Sequence, residues 1–162
     1  MNSRRRILTG LLSAAAGVLG SKAVQAKTET TPTEDSMRFP GDPTEHNIIY
    51  QFNRADLDYH NAVLHSVGAL LRKYGDNVTI VVAVFGPGIH ILAKKPGRHI
   101  SPEIAQRVKS LADYGVKFHA CGNTMSTLNW TEKDMLPYAK VVQVGVADIM
   151  ELQEQGYSYL SW

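Results

Sequence analysis

The chain has 162 residues, 44% of them hydrophobic and 20% charged, with a formal net charge of +2. Its single cysteine excludes an internal disulfide, so the fold must stand on its apolar core. Four of the 17 basic residues (Arg4, Arg5, Arg6 and Lys22) lie in the first 26 positions, which hold no acid; the other 13 face 15 acids, net −2, so charge gives no argument for a nucleic-acid partner.

The chain opens with three arginines and then runs apolar over 7–19, broken only by Thr9, Gly10, Ser13 and Gly17, before reaching Ala26. A basic start, a short apolar middle and a small-residue end form the layout of an export signal. Ser3-Arg4-Arg5-Arg6-Ile7-Leu8 resembles the twin-arginine motif that sends folded proteins across the bacterial inner membrane. The apolar run falls short of the about 20 residues that a spanning helix needs. The expectation is an export signal over 1–26, a periplasmic mature protein and no stable membrane insertion.

Residues 27–45 are rich in Thr, Glu, Asp and Pro, and only Met37 and Phe39 are large and apolar. Such a stretch buries little and reads as a linker. One domain follows over 46–162, long enough for one core and too short for two.

A strand is predicted over 47–52. Asn53 is placed to cap the next helix, with Asp56 and Asp58 in its first turn. Leu57, Leu64, Val67, Leu71 and Tyr74 fall on one helical stripe, widened by Val63 and Leu70. His60 is assigned to the surface side of this helix. Gly75 supplies a C-cap and Asp76-Asn77 a turn.

Residues 78–85 are nearly all apolar and mostly β-branched, the pattern of a central strand buried on both faces of a parallel sheet. Gly86-Pro87-Gly88 ends it, either as a tight turn or as a place where backbone approaches a ligand. His90 and His99 flank Lys94, Lys95 and Arg98, a run that reads as a solvated loop or as a site for an anion such as a sulfur oxyanion.

Ser101-Pro102-Glu103 starts a helix, with Ile104, Val108 and Leu111 as its buried stripe and Gly115 at its end. A strand into Cys121 comes next, then a short helix over 131–136, a strand over 141–144, a helix over 146–155 and an edge strand over 157–162. Strands alternating with helices predict a single three-layer α/β/α domain, with a mostly parallel sheet of about five strands.

Cys121 ends its strand immediately before Gly122, Asn123 and Thr124. Ligands and chemistry collect at the carboxyl ends of such strands. Backbone N–H groups at a turn there favour thiolate over thiol. The alternative is a small packed hydrophobe with no reactive role. His119, two residues earlier, projects from the same face of the strand. It is either a neighbour that tunes the thiol or a packed imidazole. The loops at Gly86-Pro87-Gly88, at Cys121-Gly122-Asn123-Thr124 and at Gly145 leave strand ends on one edge of a parallel sheet.

Other chemistries find no pattern. One Cys and scattered His give no zinc spacing, so no metal is expected. G-x-G-x-x-G, G-x-x-x-x-G-K-[ST] and G-x-S-x-G are all absent, so neither a nucleotide cofactor nor a serine nucleophile is predicted.

Segment 114–124, which ends Phe118-His119-Ala120-Cys121-Gly122-Asn123-Thr124, resembles the place where sulfur-carrying members of the DsrE/DsrF-like family hold a persulfide. Segment 83–92 resembles the same family's second strand and loop. The resemblance covers about Ile48 to Leu160. It implies a small α/β sandwich, assembled as trimers or hexamers, that passes sulfur from cysteine to cysteine. An export signal departs from the family's cytoplasmic relay subunits. With no second cysteine in this chain, handover requires a protein partner or a small thiol. Two functions follow: a sulfur carrier or sulfurtransferase-like protein using Cys121, or a non-catalytic small-molecule-binding or assembly module on the same fold.

Overall fold

A computed structural model describes residues 42–162. The expected signal and the linker as far as residue 41 lie outside the described residues. β1 is His46–Phe52, β2 Val78–Val84, β3 Lys117–Cys121, β4 Ala139–Val142 and β5 Ser158–Leu160. They form one sheet in the order β4-β3-β2-β1-β5. Every pairing is parallel, with Ile49 opposite Val81 and Tyr159, Ala83 opposite His119, and Cys121 opposite Val142. The apolar run of β2 takes an inner position, where both faces are covered. The exposed, alternating β5 takes an edge.

The helices are α1 Leu57–Tyr74, α2 Pro102–Asp113, α3 Gly122–Thr127 and α4 Gly145–Glu154. One sheet face presents Tyr50, Phe52, Ile80, Val82, Val84, Phe118 and Ala120, packed with Val63, Leu64 and Val67 of α1 and Ile104, Val108 and Leu111 of α2. The other face presents Ile49, Val81 and Ala83 to Ile149 of α4, with Phe85, Leu152 and Tyr157 around them. The result is the expected three-layer α/β/α domain. Among the described residues, no helix is long and apolar enough to cross a membrane.

Local differences from expectation have plain causes. The α1 cap is Asp56, whose Oδ1 accepts the Tyr59 N–H at 2.8 Å. Asn53 instead donates its backbone N–H to the Tyr59 hydroxyl at 3.2 Å, which itself donates to the Gln51 carbonyl at 2.9 Å. His60 is buried, 3% exposed, rather than on the surface. It precedes Leu64, Val67 and Leu71 by four, seven and eleven residues, so it continues their stripe. Its ring stacks on Phe52, and Nε2 lies 3.0 Å from the Arg54 carbonyl oxygen. Leu57 starts the helix and stays half exposed.

Ser101 Oγ caps α2 by accepting the Ile104 N–H at 3.3 Å, as its sequence indicates. The helix expected at 131–136 is a single 3-10 turn, Glu132–Asp134, closed by a capping box between Thr131 and Asp134. Beyond it the backbone is taken by Leu92, whose carbonyl accepts the Leu136 N–H at 2.8 Å, so no longer helix forms. The residues expected to form only a turn after Cys121 wind instead into the six-residue α3.

Candidate functional site

The loops after β2, β3 and β4 meet around Cys121. Its sulfur is 5% exposed at the residue level and sits where β3 passes into α3. From the β4 loop, Gly145 donates its backbone N–H to Sγ at 3.2 Å. Gly145 is the first residue of α4, and no side chain caps that helix. One of the N–H groups that a helix start leaves unpaired is therefore spent on the sulfur. The β3 and β4 loops are tied again where the Asn123 N–H donates to the Gln143 carbonyl at 3.1 Å.

The β2 loop joins through Thr124, whose Oγ1 accepts the Gly86 N–H at 3.1 Å. Gly86 has φ +52°, a conformation that favours glycine. Gly88 is required by close approach, since a Cβ there would lie 2.6 Å from the Phe52 carbonyl oxygen. Gly122 is similarly close, with 3.1 Å from its would-be Cβ to the Val142 carbonyl oxygen. Pro87 is exposed beside this junction. Of the residues singled out from sequence, the loop glycines and Thr124 thus serve first to hold the three strand ends together.

The thiol is pulled in two directions. Burial pushes its pKa up. Hydrogen bonds from the Gly145 N–H, from the Thr124 hydroxyl and N–H, and from the Asn123 N–H pull it down, and the balance lies below the ordinary value of 9.0. These donors favour the thiolate against the opposing effect of burial.

His119 lies on the same face of β3, buried beneath α4. Its Nδ1 is 2.8 Å from Asp148 Oδ2, and the two side chains are 5% and 12% exposed. Asp148 has no signal in the linear sequence as a partner of His119. Its position three residues into α4 from Gly145 is the feature that places it there. The basic run is organised differently. His90 Nδ1 accepts the Gly97 N–H at 3.1 Å and its ring meets Trp130 edge-on, while Lys94 Nζ donates to the Lys133 carbonyl at 2.7 Å. These contacts close a loop and do not converge on one point. Among the described residues, no group of three or more His, Cys, Asp or Glu is placed to hold a metal ion.

Residues 40–162 match the DsrE/DsrF-like family. The chain belongs to the DsrE/DsrF-like family. Among solved structures, this DsrE/DsrF-like chain is similar to a protein of unknown function from Methanobacterium thermoautotrophicum, at 24% identity and a TM-score of 0.66, over 73% of this chain and 100% of that one. That likeness supports the fold. No curated protein matches the chain.

Proposed function

We propose that this DsrE/DsrF-like protein is an exported sulfur carrier, or sulfurtransferase-like protein, that forms a persulfide on Cys121. The observation that carries this reading is the Gly145 N–H directed at Sγ from the uncapped start of α4. Such a donor stabilises the thiolate that attacks a donor sulfur. In the loading step, Sγ attacks the outer sulfur of a hydropersulfide donor. The Sγ–S bond forms, the donor S–S bond breaks, and the donor leaves as a thiol. An acceptor thiol, small or on a protein, then takes the outer sulfur. One sulfane sulfur moves and nothing is oxidised or reduced overall.

A second reading has its own support. Cys121 is buried, so it also fits a packed residue in a binding or assembly module. Alkylation of the native protein across pH separates the two. The carrier reading predicts reaction well below pH 9.0 without denaturant. A thiol labelled only after unfolding supports the module.

Export by the twin-arginine route to the periplasm completes the proposal. Its support is the arginine-led start and Ala26. Replacing Arg4 and Arg5 by Lys then blocks appearance of a mature form beginning near Lys27, while unchanged export points to the general secretory path. Assembly as a trimer or hexamer is proposed from the family and from the edge strand β5, where Tyr159 and Leu160 are exposed, as is Trp162 just beyond it.

A further inference from the structure

The reaction proposed above requires a proton to be moved, and the donors around Sγ do not move one. Gly145 and Asn123 offer backbone N–H groups that keep their protons. In loading, the thiol proton must leave Sγ and the departing donor sulfur must gain one. His119 is the buried titratable side chain of β3 on the face that carries Cys121, with Lys117 two residues further away and exposed. Cα atoms two residues apart along a strand are separated by roughly 6.6 Å and their side chains project from the same face.

Two features of His119 point further. Its Nδ1 faces a carboxylate at 2.8 Å, which only accepts hydrogen bonds when ionised. That fixes the proton of the neutral ring on Nδ1 and leaves Nε2 as the acceptor. Among the described residues, Nε2 itself has no hydrogen-bond partner. Yet no buried side-chain nitrogen or oxygen among the described residues lacks one, so Nε2 keeps contact with solvent. A ring buried on its body, clamped at one nitrogen and open at the other suits proton transfer. A purely structural histidine, such as His60, has Nε2 satisfied by the Arg54 carbonyl and stacks on Phe52, on the other face of the sheet from Cys121.

We propose that His119 Nε2 takes the Cys121 proton and returns it to the departing donor thiolate, with Asp148 as the positioning residue that holds the ring in this tautomer. The assignment rests on the sulfur-carrier reading for its step and on the buried His119–Asp148 pair for its geometry. The balance is Cys–SH plus R–S–SH giving Cys–S–SH plus R–SH, with one proton passing through Nε2 and restored.

The test compares two reactions of one sulfur. Iodoacetamide releases iodide, which needs no proton, whereas glutathione hydropersulfide releases a thiolate that does. His119→Gln and Asp148→Asn should slow single-turnover sulfur loading by ~100-fold, a usual size for a general acid–base group. Alkylation above pH 9.0, where the thiol is ionised without help, should stay within about twofold of wild type. Nitrogen NMR of the wild type should show the His119 proton on Nδ1, and Asp148→Asn should shift that signature. Equal loading by wild type and both variants overturns the proposal and leaves the carrier reading standing. Parallel loss of alkylation and loading overturns it in favour of a structural clamp. A proton found on Nε2 in the wild type overturns it without any variant, even if neither substitution folds. A wild type that never loads sulfur, with normal alkylation, sinks the carrier reading and this step with it.

Discussion

Gly145 and Cys121 are 24 residues apart in sequence, and the N–H of one lies 3.2 Å from the sulfur of the other. The contact joins the start of α4 to the end of β3. It also leaves no room: a Cβ at Gly145 would sit 3.0 Å from Cys121 Cβ and 3.4 Å from Phe85 Cβ. Neither neighbour is the tip of a flexible side chain.

Gly145→Ala therefore forces a shift at the site. Overpacking costs typically 1–3 kcal/mol, and the better helix propensity of Ala returns up to about 1 kcal/mol of that. The expected result is a net loss of about 1 kcal/mol in urea unfolding. The thiol pKa should also rise, seen as slower alkylation at fixed pH below 9.0. An unchanged alkylation profile would show that the Gly145 N–H does not govern the sulfur.

Thr124 bridges two loops with one hydroxyl. Its oxygen accepts the Gly86 N–H while its O–H lowers the Cys121 pKa. Thr124→Val keeps the shape and removes both. A part-buried N–H without a partner costs about 1–3 kcal/mol. The variant should lose stability in that range, and its thiol should ionise at higher pH. Thr124→Ser restores the hydroxyl and should recover both properties. Failure of Ser to restore the alkylation profile would assign the effect to packing.

Much of the fold was legible because its signals are local. The apolar run in β2, the Ser101-Pro102 start of α2 and the Gly115 end of the same helix each depend on residues a few positions apart. The family domain, too, was readable from the segment that ends in Cys121. What escaped depends on residues distant in sequence. Asp148 becomes a partner of His119 only once α4 folds over β3, 29 residues on. His60, assigned from sequence to the side of α1 opposite the apolar stripe, continues that stripe by its spacing and is buried. Asn53 lost the cap to Asp56 because the Tyr59 hydroxyl occupies Asn53 from the other side. The donors at the sulfur are foreshadowed by Gly122-Asn123-Thr124, whereas Gly145, whose N–H reaches Sγ from the loop after β4, carries no sign of that role in its own segment.

Acid should destabilise the protein partly through His60. Burial holds its pKa below the ordinary 6.5, against the opposing pulls of the Arg54 carbonyl and Asp56. Below 6.5 the unfolded chain binds a proton that folded His60 still refuses. Stability must then fall as pH drops from 6.5 toward the folded value, and level off beneath it. His60→Gln retains a donor for the Arg54 carbonyl and cannot titrate. Urea midpoints at pH 7 and pH 5 should drop more for wild type than for the variant. Parallel drops would assign the acid sensitivity to other groups.

The central claim is that Cys121 carries sulfane sulfur. The most direct measurement incubates the folded protein and Cys121→Ser with glutathione hydropersulfide, removes excess donor and weighs both by intact-mass spectrometry. The account predicts one added sulfur on wild type, released by a reducing thiol, and none on the variant, which should unfold within about 2 kcal/mol of wild type. Equal retention by both proteins, or none by either across several sulfane-sulfur donors, would contradict it and leave Cys121 as a packed residue of a binding or assembly module.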